Sequence, residues 1–167
     1  MNNLHTIRKA EPEDIPVITD LAYRTWFATY EPFIPYEQVA FMFGEIYTPE
    51  SIYKQMTFLG HTYLLLFEEE TPMAYASYGA LADTPYIYKL HKIYILPEQQ
   101  GKKLGQQLIH AVENIARAAG AHTLQLNVNR ENTAKLFYER MGYHIVEEQD
   151  IPIGQYWMND YLMEKGL

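Results

Sequence analysis

Three strand-like runs follow one another between residues 61 and 96: HTYLLLFEE, MAYASYGAL and YIYKLHKIYIL. All three are rich in tyrosine and aliphatic residues, a composition that fits a pleated, half-buried surface. Only Glu69-Glu70-Thr71-Pro72 and Asp83-Thr84-Pro85 interrupt them, and both read as turns. Links that short join antiparallel neighbours, because a parallel crossover needs roughly a dozen residues or more. The middle of the chain is therefore an antiparallel meander, and every other element has to pack around it.

Residues 4–10 form a short strand candidate, and Glu11-Pro12-Glu13-Asp14 opens a helix with acids in its first turn. Ile15, Ile18, Leu21, Ala22 and Trp26 recur in it at helical spacing. Shorter helices are expected at about 36–45 and 48–58, the second with proline in its first turn. Beyond the meander, Leu104, Leu108, Ile109, Val112, Ile115 and Ala119 mark a long amphipathic helix that stops near Gly120. HTLQLNV is a further strand, and NRENTAKLFYERMGY a shorter helix ended by Gly142. Strands at about 143–148 and 156–164 close the chain. The expected class is α+β: a mostly antiparallel, twisted sheet of about seven strands flanked by helices.

At 167 residues, with no linker, repeat or low-complexity segment, residues 1–167 are expected to form one domain. Cysteine is absent, which excludes disulfides, thiolate metal sites and a cysteine nucleophile. No two histidines stand as H-x-x-x-H, and none clusters with carboxylates at ligand spacing, so no metal is expected. The net charge of -8 argues against a general nucleic-acid binder. No apolar run approaches the roughly 20 residues needed to span a bilayer. The N-terminus has no apolar leader core, so a cytoplasmic, membrane-free protein is expected. A homodimer is compatible with all of this.

Between strand and long helix lies PEQQGKKLGQQLI, residues 97–109. Two lysines and two glycines at a helix start are suited to holding an anion on backbone N–H groups. Neither G-x-x-x-x-G-K-[ST] nor G-x-G-x-x-G is present. What remains is Gln100-Gly101-Lys102-Lys103-Leu104-Gly105, followed about thirty residues later by Asn132-Thr-Ala134-Lys-Leu-Phe137-Tyr138-Glu-Arg-Met-Gly142-Tyr143. Together these resemble the GNAT superfamily of acyl-CoA-dependent N-acetyltransferases. Gln100 and Gly105 match the ends of the family's [Q/R]-x-x-G-x-[G/A] motif. Lys103 stands where its middle glycine is usual, a departure that bears on backbone freedom, although a lysine can be helical at that position.

The resemblance implies a GNAT-like fold and acetyl-CoA as cosubstrate. Its pyrophosphate would rest on the N–H groups of Gln100, Gly101, Lys102, Lys103, Leu104 and Gly105, with the two lysine side chains adding attraction. Main-chain groups of Ile93, Tyr94 and Ile95 would hold pantetheine. Asn132 and Lys135 are placed with the cofactor contacts, and Tyr138 as proton donor to the departing sulfur. Packing for Tyr138 and helix capping for Asn132 are the plainer alternatives. Lys89 stands at the family's glutamate base, where an ordinary lysine is unsuited. His91, two residues on and on the same strand face, is a candidate base with an intrinsic pKa near 6.5. A structural strand histidine or water-relayed deprotonation would serve equally.

Trp26, Tyr30, Phe33 and Tyr36, with Glu31, Glu37 and Glu45, lie where family members build the acceptor site; they suit a cationic amine. The segments TWFATYEPFIP and IGQYWMNDYLMEK resemble spermidine/polyamine acetyltransferases of the Pai group. The expected reaction is direct attack of a small-molecule primary amine on the bound thioester in a ternary complex. Acetylation of a protein N-terminus or lysine, and a non-catalytic acyl-CoA-binding regulator, remain open beside it.

Overall fold

A computed structural model describes residues 4–167 of the chain. The elements run β1 (His5–Lys9), α1 (Ile15–Tyr30), α2 (Tyr36–Ile46), α3 (Pro49–Thr57), β2 (Thr62–Glu68), β3 (Thr71–Leu81) and β4 (Thr84–Ile95). After them come α4 (Leu104–Ala118), β5 (Thr123–Asn129), α5 (Ala134–Arg140), β6 (His144–Ile153) and β7 (Tyr156–Gly166). The meander forms as its short links require, with β2–β3 and β3–β4 antiparallel. All seven strands join one mixed sheet in the order β1-β2-β3-β4-β5-β7-β6, and β4–β5 is its one parallel pair. The 27 residues between β4 and β5 (96–122) hold α4, which supplies the crossover that a parallel pair demands.

Local chemistry sets the helix starts. Asp14 accepts the Glu11 N–H at 2.8 Å and receives two Arg8 bonds, each 2.8 Å. That arrangement lowers its carboxyl to about 2, with the Arg8 bond as the main cause. Thr48 caps α3 by accepting the Ser51 N–H at 3.1 Å.

The sheet separates two apolar layers. On one face Ile18, Leu21, Trp26, Met42 and Ile52 from α1–α3 pack on Tyr63, Leu65 and Tyr75. On the other, Leu104, Leu108, Ile109 and Val112 from α4 pack on Leu66, Ala76, Leu124 and Leu126. Burying each such aliphatic side chain contributes about 1.5–3 kcal/mol. The closing strands run longer than their sequence pattern indicates, to Ile153 and Gly166. β6 is an edge strand, mostly exposed, so no burial alternation announces its length.

Candidate active site

The sheet opens between β4 and β5. Their parallel pairing covers only Ile87–Leu90 against Thr123–Leu126. Past that point β4 stays with β3, while β5 continues against β7 as far as Asn129. The β3–β4 register explains the parting: Tyr78 faces Leu90 and Ser77 faces Lys92, so His91 is an extra residue. A bulge of this kind bends its strand and raises its twist. It also breaks the alternation, since Leu90 and Ile93 both meet the α4 layer. The resulting cleft has a volume of about 1150 Å³, ample for a cosubstrate-sized ligand.

One wall is the bare edge of β4. The Leu96 N–H donates to Met73 O at 3.0 Å, so alternate main-chain groups face β3. Those of Ile93 and Ile95 therefore face the cleft, and Gln100 Nε2 reaches Ile95 O at 3.5 Å. The Tyr94 side chain turns the other way; its hydroxyl meets that of Tyr30 at 2.8 Å beneath α1.

The mouth is the loop entering α4. Gly101 (φ 85°) and Lys103 (φ 63°) both adopt left-handed backbone, and Lys103 is the cap residue of α4. Lys103 is thus not helical: it holds a glycine's conformation with a side chain, at roughly 1 kcal/mol of strain. Among the described residues, no protein acceptor takes the backbone N–H groups of Gly101 through Gln106; the first helical bond is from the Gln107 N–H to Lys103 O, 3.1 Å. Gly101, Lys103, Leu104 and Gly105 border the cleft, as does Gln100. A Cβ at Gly105 would stand 3.4 Å from Phe137, so glycine lets α4 and α5 close on one another. The Lys102 side chain does not reach the cleft; its ammonium binds Gln99 at 2.6 Å.

From α5, Tyr138 borders the cleft and is 8% exposed. Burial pushes its phenol well above the usual range, and its hydroxyl has no hydrogen-bond partner among the described residues. A protonated donor at the cleft wall is the result. Asn132 borders the cleft too, but its side-chain oxygen caps the turn into α5 by accepting the Ala134 N–H at 2.9 Å. Lys135 points away, pairing with Glu139 at 3.4 Å and lying over the Tyr161 ring.

His91 does not have the chemistry expected of a base. Its ring stacks on His61 with centroids 3.8 Å apart. Burial, with His61, Lys92 and Lys89 nearby, lowers its pKa to about 3. At neutral pH it is an uncharged packing group with little proton affinity. Its neighbour Lys92, absent from the sequence-based candidates, is half-buried at the cleft without a carboxylate partner. The Lys92 ammonium donates to Gln55 at 2.8 Å beside the Tyr63 and Tyr47 rings, and burial lowers its pKa to about 7. Lys89 donates to Asn127 across the cleft's closed end. The available signal was the slip from Leu90 to Ile93 within KLHKI, three residues apart where an unbroken strand needs two.

A sheet parted at a bulge, a bare strand edge, partnerless loop N–H groups and a phenol thus meet along one cleft. Residues 31–157 match the acetyltransferase (GNAT) domain family, and the chain belongs to it. Spermidine N(1)-acetyltransferase of Thermoplasma acidophilum is 27% identical over 164 residues, 95% of each chain. Aminoalkylphosphonate N-acetyltransferase of Salmonella typhimurium is 37% identical over 59 residues, 35% of this chain and 38% of the relative. Among solved structures, the Thermoplasma acidophilum PaiA N-acetyltransferase in complex with coenzyme A superposes with TM-score 0.82 at 24% identity, covering all of both chains. A GCN5-related N-acetyltransferase from Rhodopseudomonas palustris gives 0.82 at 22%, covering 97% of this chain and 95% of that one.

Proposed function

We propose that this enzyme, acting as one domain, transfers an acetyl group from acetyl-CoA to a primary amine of a small cationic molecule of the polyamine class. Direct attack within a ternary complex fits best, because no cysteine is available to carry the acyl group. The observation that carries the reading is the pairing of partnerless N–H groups at Gly101–Gln106 with the bare edge of Ile93 and Ile95 along one cleft. These features fit coenzyme A: the loop suits its pyrophosphate and the strand edge its pantetheine amides. Bound acetyl-CoA supplies an acyl group already activated toward an amine. The chain's own residues orient the acceptor, keep water out and hold a proton at Tyr138 Oη for the leaving sulfur.

The polyamine reading is supported by the spermidine acetyltransferase relative and by Thr29, Tyr30, Pro32 and Phe33 at the cleft. The absence of cysteine supports a reducing, cytoplasmic setting. The test is thiol release from acetyl-CoA with spermidine, diaminoalkanes, amino acids and an N-terminal peptide. Preferred turnover of the di- and polyamines is expected. Turnover of the peptide alone would transfer the reading to protein acetylation. A CoA-dependent rise in melting temperature without any thiol release would make the chain a non-catalytic binder.

A further inference from the structure

Two phenols meet where α1 packs on β4, and together they leave one proton over at the cleft. The Tyr30 hydroxyl, from the last turn of α1, lies 2.8 Å from the Tyr94 hydroxyl of β4. Both residues border the cleft, and Tyr94 is only half-buried, so the pair is open to an occupant. Burial is the main cause that pushes both phenols up, Tyr30 to about 12, so each keeps its proton at neutral pH. Either oxygen can be the donor in their shared bond, which uses one O–H. The other O–H has no acceptor among the described residues, and lone pairs remain on both oxygens. The threonine hydroxyls of this wall are engaged: Thr25 Oγ1 donates to Leu21 O at 2.8 Å and Thr29 Oγ1 to Thr25 O at 2.7 Å. Neighbouring rings hold the phenols, with Trp26 centroids 4.4 Å from Tyr30 and 6.1 Å from Tyr94, and Phe33 5.8 Å from Tyr30. The two oxygens are therefore fixed before any ligand arrives.

The wall around them is uncharged. Thr25, Ala28, Thr29, Pro32 and Phe33 complete it. Among the described residues Glu131 is the one carboxylate bordering the cleft, and it lies beyond β5 on the link to α5. Asp160 of β7 lies near Tyr30 without bordering the cleft; Tyr75 and Tyr138 are the other titratable groups beside the pair. Lys92, which does border the cleft on β4, opposes an ammonium when charged. An ammonium placed here has no counter-ion at hand, and burying one unpaired is costly. It also lacks a lone pair for the spare O–H. A free amine matches both halves of the pair: its N–H donates to a phenol oxygen, and its lone pair accepts the spare O–H.

We propose that the Tyr30–Tyr94 hydroxyl pair receives the reacting nitrogen of the acceptor, and receives it as the uncharged amine. The acceptor leaves its ammonium proton in solvent before it docks. Turning the spare O–H about its C–O bond frees the lone pair for the thioester carbon, while the N–H bond keeps the nitrogen in place. On transfer the C–N bond forms and the C–S bond breaks. The Tyr138 proton goes to sulfur, and the nitrogen's surplus proton restores that phenol. A di- or polyamine fulfils this with one nitrogen uncharged and another still protonated. This deepens the amine-acetylation reading above and rests on it.

The experiment measures kcat/KM of the wild type from about pH 6.5 to 8.5 with two acceptors. One is 1,4-diaminobutane, mostly protonated over that range; the other is 2,2,2-trifluoroethylamine, mostly free base. The expected kcat/KM for diaminobutane climbs about tenfold per pH unit, as its free-amine fraction does, and that for trifluoroethylamine stays level within about twofold. Where trifluoroethylamine turns over too slowly, its inhibition constant against diaminobutane is read instead, and should be level too. A level diaminobutane profile, or one acidic limb shared by both amines, overturns the proposal. The double variant Tyr30→Phe/Tyr94→Phe keeps both rings and removes both hydroxyls. Its KM for diaminobutane should rise roughly tenfold or more, with KM for acetyl-CoA within about twofold. An unchanged diaminobutane KM, or an equal rise in both, overturns the proposal. Should the double variant fail to fold, Tyr94→Phe alone decides, with a rise of roughly threefold or more expected. Each of these failures leaves amine acetylation standing. A wild type inactive on every amine overturns that reading and this one together.

Discussion

At single residues, backbone and side-chain demands can be told apart. Lys103 holds φ 63° at the entrance to α4 with its side chain exposed. Lys103→Gly should therefore stabilise the fold by up to about 1 kcal/mol, raising Tm by roughly 2–4 °C. Lys103→Val should lower Tm, because a β-branched residue tolerates that conformation least. Thermal melts in which the two variants coincide would show that the loop is not held left-handed. Tyr138→Phe removes a hydroxyl that no protein group uses, so stability should hold while kcat falls tenfold or more. An unchanged kcat would return Tyr138 to packing. That Gln100, Gly105 and Tyr138 meet at one cleft was legible in the sequence, because motif spacing ties them to two helix starts. The left-handed conformation of Lys103 was only hinted at, by its standing where the motif usually has glycine, since a lysine side chain by itself gives no sign of positive φ.

Between elements, the bulge at His91 and the glycine beside it set the geometry. A Cβ on Gly79 would come within 2.4 Å of the Gly60 carbonyl, so β3 must present bare backbone there for the His61 turn to reach β4. The stacked pair behaves as neutral rings, lowered to about 4 at His61 and about 3 at His91, with burial the leading cause for each. Folded values below the unfolded value near 6.5 mean that the unfolded chain binds protons first as pH falls. The stability these two groups contribute is complete above about pH 6.5. It is lost progressively between there and about 3. Replacing both by glutamine should flatten the fall of Tm over that window, and an unaltered slope would show the rings to be solvated. The acidic limb of kcat/KM should likewise survive His91→Ala.

Glu113 ties α4 to the start of β6 and to β7. It is 3% exposed and accepts from Tyr143 Oη at 2.7 Å and Lys165 Nζ at 2.9 Å. Glu113→Ala leaves two donors stranded and should destabilise by about 3 kcal/mol or more, measured by denaturant unfolding. A loss under about 1 kcal/mol would show the network to be dispensable. The elements themselves were legible because their periodicities are strong, α4 and the meander above all. The register slip in β4 left only the Leu90–Ile93 spacing as a trace, because strand pattern does not record which neighbour a residue faces.

For the whole molecule, the chain order explains the site. A meander delivers β4 to the centre of the sheet, and the crossover through α4 makes β5 its parallel neighbour. The bulge then parts the pair where the α4 loop and α5 converge. Every feature proposed for catalysis lies along that opening. The central claim is that coenzyme A occupies this opening through main-chain groups. A crystal structure of the CoA complex tests it most directly. Pyrophosphate oxygens are predicted within about 2.7–3.2 Å of N–H groups between Gly101 and Gln106, with pantetheine along Ile93 and Ile95. Phosphates bound elsewhere, or a strand edge left unpaired beside bound CoA, would contradict it.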